Sequence, residues 1–150
     1  MLCKKRKNHL LVKQSNCFFK RFFSRVFTSF VWIGLGGACG AMARVALMRV
    51  LPPFFLNIPL KILLVNVLGC FLIGVLTESM AQYGNLSVSF RHFLVQGFLG
   101  GFTTFSAFAL EFGLLYEKGF VASSIIYALL SVCLGLVFFF LGFKLIKAFV

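Results

Sequence analysis

The sequence predicts an all-α membrane protein with four transmembrane helices, the third of them broken, and three observations carry that prediction. Of 150 residues, 61% are hydrophobic and 22 are Phe, and the mean hydropathy is +1.01. Water-soluble domains hold an apolar share nearer one half. A lipid-spanning helix takes about 20 apolar residues, so four spans use roughly 80 to 90 positions and leave short connections and no second folded domain. The third apolar run is interrupted at its middle by Gly100-Gly101-Phe102-Thr103-Thr104.

Charge divides the chain into two regions, a basic leader over residues 1–28 and a four-helix domain over residues 29–150. Fifteen Lys and Arg stand against three acids, Glu78, Glu111 and Glu117. Eight of the cations fall in the first 25 residues (Lys4, Lys5, Arg6, Lys7, Lys13, Lys20, Arg21 and Arg25). Such a front end reads as a cytoplasmic anchor on anionic lipid, able to lie on the headgroups as an amphipathic helix. No stacking or groove-reading motif supports nucleic acid as a partner. The leader lacks an Ala-x-Ala site before residue 30 and is read as uncleaved. The five cysteines are widely spaced, with no metal-ligand pattern and no disulfide framework.

The first span, about Phe30 to Leu51, carries Gly36 and Gly40 in a GxxxG step that lets helix backbones approach closely. Arg44 lies inside this apolar run, where an unpaired cation is costly. Either it snorkels to the interface or it faces a wet vestibule that an anion enters. Pro52-Pro53 and Pro59 bracket a turn before the second span, about Leu60 to Gln82, whose strongly polar residue at depth is Asn66. Its carboxamide can tie two helices together or donate to a passing anion.

Tyr83 to Arg91 form a polar loop, and the third segment then runs from His92 to Tyr116. A double glycine followed by two β-branched threonines is a poor place for a continuous helix. Non-helical backbone at membrane depth survives only where protein, water or an ion satisfies its polar groups, and such breaks often mark ion sites. Phe105 and Phe108 follow three residues apart, with Glu111 a turn further on, and helical spacing projects them from one side. Ring edges turned to a pathway attract an anion, ring faces attract a cation, and a Phe pair also serves simply as packing. The fourth span, about Val121 to Phe143, places Tyr127 and Ser131 on one stripe, either a polar track or a set of interhelical contacts. Lys144 and Lys147 then anchor the interface.

Three segments together resemble the Fluc/CrcB family of fluoride channels: GGACGAMARVAL (Gly36 to Leu47), LLVNVLGCFLIG (Leu63 to Gly74) and GFLGGFTTFSAFALE (Gly97 to Glu111). The resemblance covers about residues 30 to 147, and the third segment is its most specific part. It implies a passive, fluoride-selective channel of the inner membrane that relieves fluoride toxicity, built as an antiparallel, dual-topology homodimer with a structural sodium ion at the dimer centre. By motif position, Asn66, Phe105 and Phe108 would line the fluoride pathway, with Ser106, Tyr127 and Ser131 as its polar track. Gly100 and Thr103 would offer backbone carbonyls to Na⁺, and Arg44 and Glu111 would sit near the vestibules. The expected partners are thus fluoride, sodium, membrane lipid and a second copy of the chain.

Two departures stand out. The family usually has Gly-Thr where this chain has Lys61-Ile62, which removes a hydroxyl from the track, and its members generally begin close to the first span. Outside the leader, Lys and Arg balance across the membrane: Arg91, Lys144 and Lys147 on the N-terminal side face Arg49, Lys61 and Lys118 on the other. Orientation follows this bias, so the balance suits dual insertion while the leader opposes it. The expectation is a native chain without the leader, or an oppositely oriented partner.

Two rivals predict different chemistry. A four-helix proton-coupled multidrug transporter needs a membrane-embedded carboxylate, and Glu111 lies toward a helix end. A non-conducting scaffold accounts for the GxxxG step but gives the break and Asn66 no purpose. No nucleophile, base and acid set is present to suggest an enzyme.

Overall fold

The computed structural model describes residues 2–55, 58–84 and 86–149, with side chains described from Phe23 onward except at Phe54, Phe55 and Tyr83. The chain begins with a single helix, α1 (Leu2–Val50). At 1.5 Å per residue it is about 73 Å long, more than twice a hydrocarbon core. Its apolar, span-competent portion is Phe23–Val50, so the leader continues the first span without a boundary at residue 28. A tight antiparallel ribbon, β1 (Phe54–Phe55) with β2 (Ile58–Pro59), turns the chain into α2 (Leu60–Tyr83). The α2 helix ends at Gly84, whose positive φ of 51° only glycine adopts freely.

The third span, Val88–Glu117, is composite. One turn, α3 (Val88–Arg91), is capped by Ser87, whose hydroxyl accepts from the Phe90 N–H at 3.3 Å. A π-helical segment (His92–Leu99) follows, within which the His92 ring contacts the Gln96 carboxamide, and then come α4 (Gly100–Phe102) and α5 (Phe105–Glu117). The last span is α6 (Val121–Phe149). The second span matches its expected limits, whereas the first and fourth run further as helix because Lys, Arg and Phe continue a helix freely beyond the apolar run.

The break is narrower than the sequence suggests. Gly100 and Gly101 are helical, and only Thr103 (ψ 156°) and Thr104 (φ −152°) are extended. The glycines stay helical because helix packing requires them there. A Cβ on Gly101 would strike the Gly37 carbonyl oxygen of α1, and one on Gly97 would come within 2.9 Å of the Gly36 Cα. Conversely, a Cβ on Gly36 would meet the Phe93 carbonyl, and one on Gly40 the Phe98 carbonyl. The GxxxG step on α1 is four residues long while the carbonyls it meets are five apart. A π-helix has that spacing, since its bonds run i to i+5, and the Gly100 N–H duly reaches the Val95 carbonyl. The π segment therefore brings successive carbonyls over successive glycines.

The spans form two parallel pairs. In one, α1 lies against the π segment and α4; in the other, α2 lies against α6, with Gly74 on the Phe139 carbonyl and Gly142 on the Phe71 carbonyl. The α5 helix joins the second pair through a small core of Leu63, Val67, Leu115 and Tyr127. Many large apolar side chains remain exposed, including Leu129, Val132, Leu136 and Phe140 on α6, as suits a surface whose solvent is lipid.

Candidate ion site at the break in the third span

Two open cavities flank the break. The first, about 410 Å³, is walled by Asn66, Gly100, Thr103, Phe105, Phe108 and Ser131, among others. Six of the ten expected site residues thus converge there from α2, the broken span and α6. The second, about 440 Å³, holds Arg44 and Ser106 beside Ile62 and Leu110. Tyr127 is fully buried behind the first cavity, its ring 5.2 Å from that of Phe108. Glu111 lines neither cavity. Steps of three residues drift by 60° each on an α-helix, so Glu111 has turned about 120° away from Phe105.

Asn66 organises the break. Its Nδ2 donates to the Thr104 carbonyl at 3.0 Å and its Oδ1 accepts the Thr104 N–H at 2.8 Å. A flipped carboxamide would set two donors and two acceptors face to face, so this orientation is fixed. In an unbroken helix the Thr104 N–H would donate to the Gly100 carbonyl, and the Ala107 N–H to the Thr103 carbonyl. Here the first goes to Asn66, and the second goes to the Thr104 hydroxyl, 3.2 Å away, which caps α5. The Gly100 and Thr103 carbonyls are thereby deprived of their helical donors, and both residues border the first cavity. The Thr103 hydroxyl is already spent, donating to the Leu99 carbonyl at 2.9 Å.

The aromatic and hydroxyl groups differ in how free they are. Phe105 is 79% exposed in the single chain, with its ring 5.4 Å from that of Phe108. Ser131 donates to the Tyr127 carbonyl at 2.7 Å, so its proton is committed within α6. The Tyr127 hydroxyl has no partner among the described residues despite complete burial. No group of three or more His, Cys, Asp or Glu side chains that could hold a metal occurs among the described residues, and the oxygens freed of helical donors at the break are backbone carbonyls.

Sequence reasoning missed Thr104. Its signal was local: a threonine immediately before an apolar half-helix is a favoured N-cap. The pairing of Asn66 with it, across 38 residues, had no local signal.

Comparison with known proteins agrees with this architecture. The family described as CrcB-like protein, Camphor Resistance (CrcB), matches residues 31–143. A protein of Methylobacillus flagellatus named fluoride-specific ion channel FluC is 40% identical over 117 residues, covering 77% of this chain and 91% of that protein. Proteins of the same name from Prosthecochloris aestuarii and Francisella tularensis subsp. tularensis are 38% and 41% identical, covering 81% and 76% of this chain and 94% and 91% of theirs. With its four span-competent helices, this chain is a multi-pass membrane protein that belongs to the CrcB-like family.

Proposed function

We propose that the chain is a passive, fluoride-selective channel of the inner membrane that lets F⁻ leave the cytoplasm. The observation that carries this reading is the Asn66 clamp on Thr104: it holds a break open at membrane depth beside a pair of phenylalanines. The relatives' shared name supports it.

Fluoride is small and tightly hydrated, so a pore must replace its water with several weak donors, because shedding all hydration costs tens of kcal/mol on a Born estimate, of order 20 or more. The second Asn66 N–H, the edges of Phe105 and Phe108, the Tyr127 hydroxyl and Ser106 can share that task without a deep trap. Arg44 raises the anion concentration at one mouth. The chain has no phosphate-cradling glycine loop of the P-loop kind, so flux follows the gradient and the negative-inside potential. Glu111 stands outside both cavities and acts, in this reading, only on the field near a mouth.

The working unit is an antiparallel homodimer. A second copy laid against the cavity rim would cover Phe105, which the single chain leaves 79% exposed. The Gly100 and Thr103 carbonyls fit a sodium ion, since they are hard oxygens freed of their helical donors. Two from each chain would hold it at the dimer centre, where its positive charge would bind the halves together. Because the leader favours one orientation, a subunit of opposite orientation must come from a form lacking the leader or from a separate partner.

The test is fluoride efflux from liposomes containing the purified protein, read with a fluoride electrode beside a chloride control and a Phe108→Ile variant. Rapid, chloride-blind efflux abolished by the variant supports the channel. No efflux from well-folded dimers sinks it and favours a non-conducting scaffold.

A further inference from the structure

Among the described residues, Thr104 alone borders both cavities. Its backbone is held on both sides by Asn66, so its side chain is fixed in place at their common wall. The Thr104 hydroxyl oxygen accepts the Ala107 N–H at 3.2 Å and lies 3.2 Å from the Ser106 Oγ. A hydroxyl has one proton and two acceptor sites. With one acceptor site taken by Ala107, the bond between Thr104 and Ser106 runs in either of two directions. If Ser106 donates, its proton is spent. If Thr104 donates, the Ser106 proton is free, and accepting a bond makes it a stronger donor.

We infer that Thr104 is a positioning residue that presents the Ser106 hydroxyl to an anion entering from the Arg44 side. This rests on the channel reading and deepens it. Either arrangement leaves one proton of the pair free, on Ser106 when Thr104 donates and on Thr104 when Ser106 donates, and an anion beside Ser106 in the Arg44 cavity selects the first. Withdrawal of the anion lets the pair reverse, which hands the free proton back to Thr104 at the wall the two cavities share. The neighbouring Thr103 cannot serve this way, as its hydroxyl is bonded back to Leu99.

The experiment compares fluoride efflux of the full chain in liposomes for the parent, Thr104→Val, Thr104→Ser, Ser106→Ala and the Thr104→Val/Ser106→Ala pair. Thr104→Val is expected to slow efflux about tenfold and raise the half-saturating fluoride concentration, by analogy with loss of a hydrogen bond to a charged group. Thr104→Ser should restore the rate to within about threefold, and in the Ser106→Ala background Thr104→Val should add less than about twofold. Thr104→Asn keeps a capping oxygen for α5 but carries it one atom further from Cβ, and should slow efflux as valine does even if the valine variant folds poorly. A conducting parent matched by Thr104→Val overturns the role of Thr104 alone, as does an equal loss in both backgrounds, which would make it only a helix cap. A parent with no fluoride flux overturns the channel reading itself.

Discussion

Asn66 and Thr104 meet as two strands would. The carboxamide donates to one backbone group and accepts from the other, at 3.0 and 2.8 Å, and so replaces for one residue the partners that the helix gives up. Replacing Asn66 by Ala leaves both Thr104 groups unpaired at membrane depth, at a cost of about 1–3 kcal/mol each. Asn66→Asp keeps the acceptor and loses the donor, and adds a negative charge on the anion's path. Both variants should melt earlier in detergent than the parent, with alanine the less stable, and neither should pass fluoride. An Asn66→Ala protein as stable as the parent would refute the clamp.

The glycine seam predicts a sharp contrast within α1. At Gly36 and Gly40 an added methyl would run into backbone atoms, first the Phe93 and Phe98 carbonyl oxygens, while at Gly34 nothing lies within 4 Å. Gly36→Ala and Gly40→Ala should therefore cost about 1–3 kcal/mol or prevent folding, and Gly34→Ala should be neutral or slightly stabilising. Thermal unfolding in detergent, followed by size-exclusion profile, checks the order.

Tyr127 and Ser131 should respond in opposite ways. Tyr127→Phe removes a buried hydroxyl that has no partner among the described residues, and should raise stability by about 1 kcal/mol while slowing fluoride. Ser131→Ala removes a bond that stays within α6, and should change efflux by less than about twofold. Paired efflux and melting measurements decide both.

If Gly100 and Thr103 hold sodium, exchanging Na⁺ for a large organic cation should lower the dimer's melting temperature and slow its assembly. Equal melting curves in the two salts would remove the ion from the dimer centre.

Much of the fold was legible because hydropathy in a bilayer is nearly a measure of length. The second span, Leu60–Gln82, was readable to the residue because prolines end its approach and polar residues follow it. The break was placed correctly but drawn too wide, since propensity alone counts Gly100 and Gly101 as breakers and cannot see that α1 demands them as helix. The π segment was invisible: no residue type encodes it, and only the spacing of Gly36 and Gly40 against Phe93 and Phe98 explains it. The expected site residues came partly from their chemistry and partly from motif position, and neither could foresee their division between two cavities with Glu111 in neither, which depends on helical phase after a break. Sequence spacing across a break carries no phase.

The π-helical stretch has a consequence for how this chain tolerates insertion and deletion. Such a stretch is what an α-helix becomes when it absorbs an additional residue without unwinding. Losing one residue from positions 92–99 would let the stretch relax to ordinary α-helix at little local cost. Residues after it would largely keep their phase against α1, because the tighter α winding regains the turn that the lost residue gave up. Gly101 would stay on Gly37 and Thr104 on Asn66, so one residue can be lost here with the site kept. The length of this segment is thus less tightly constrained than that of the α-helical spans, where one deletion turns everything after it by about 100°.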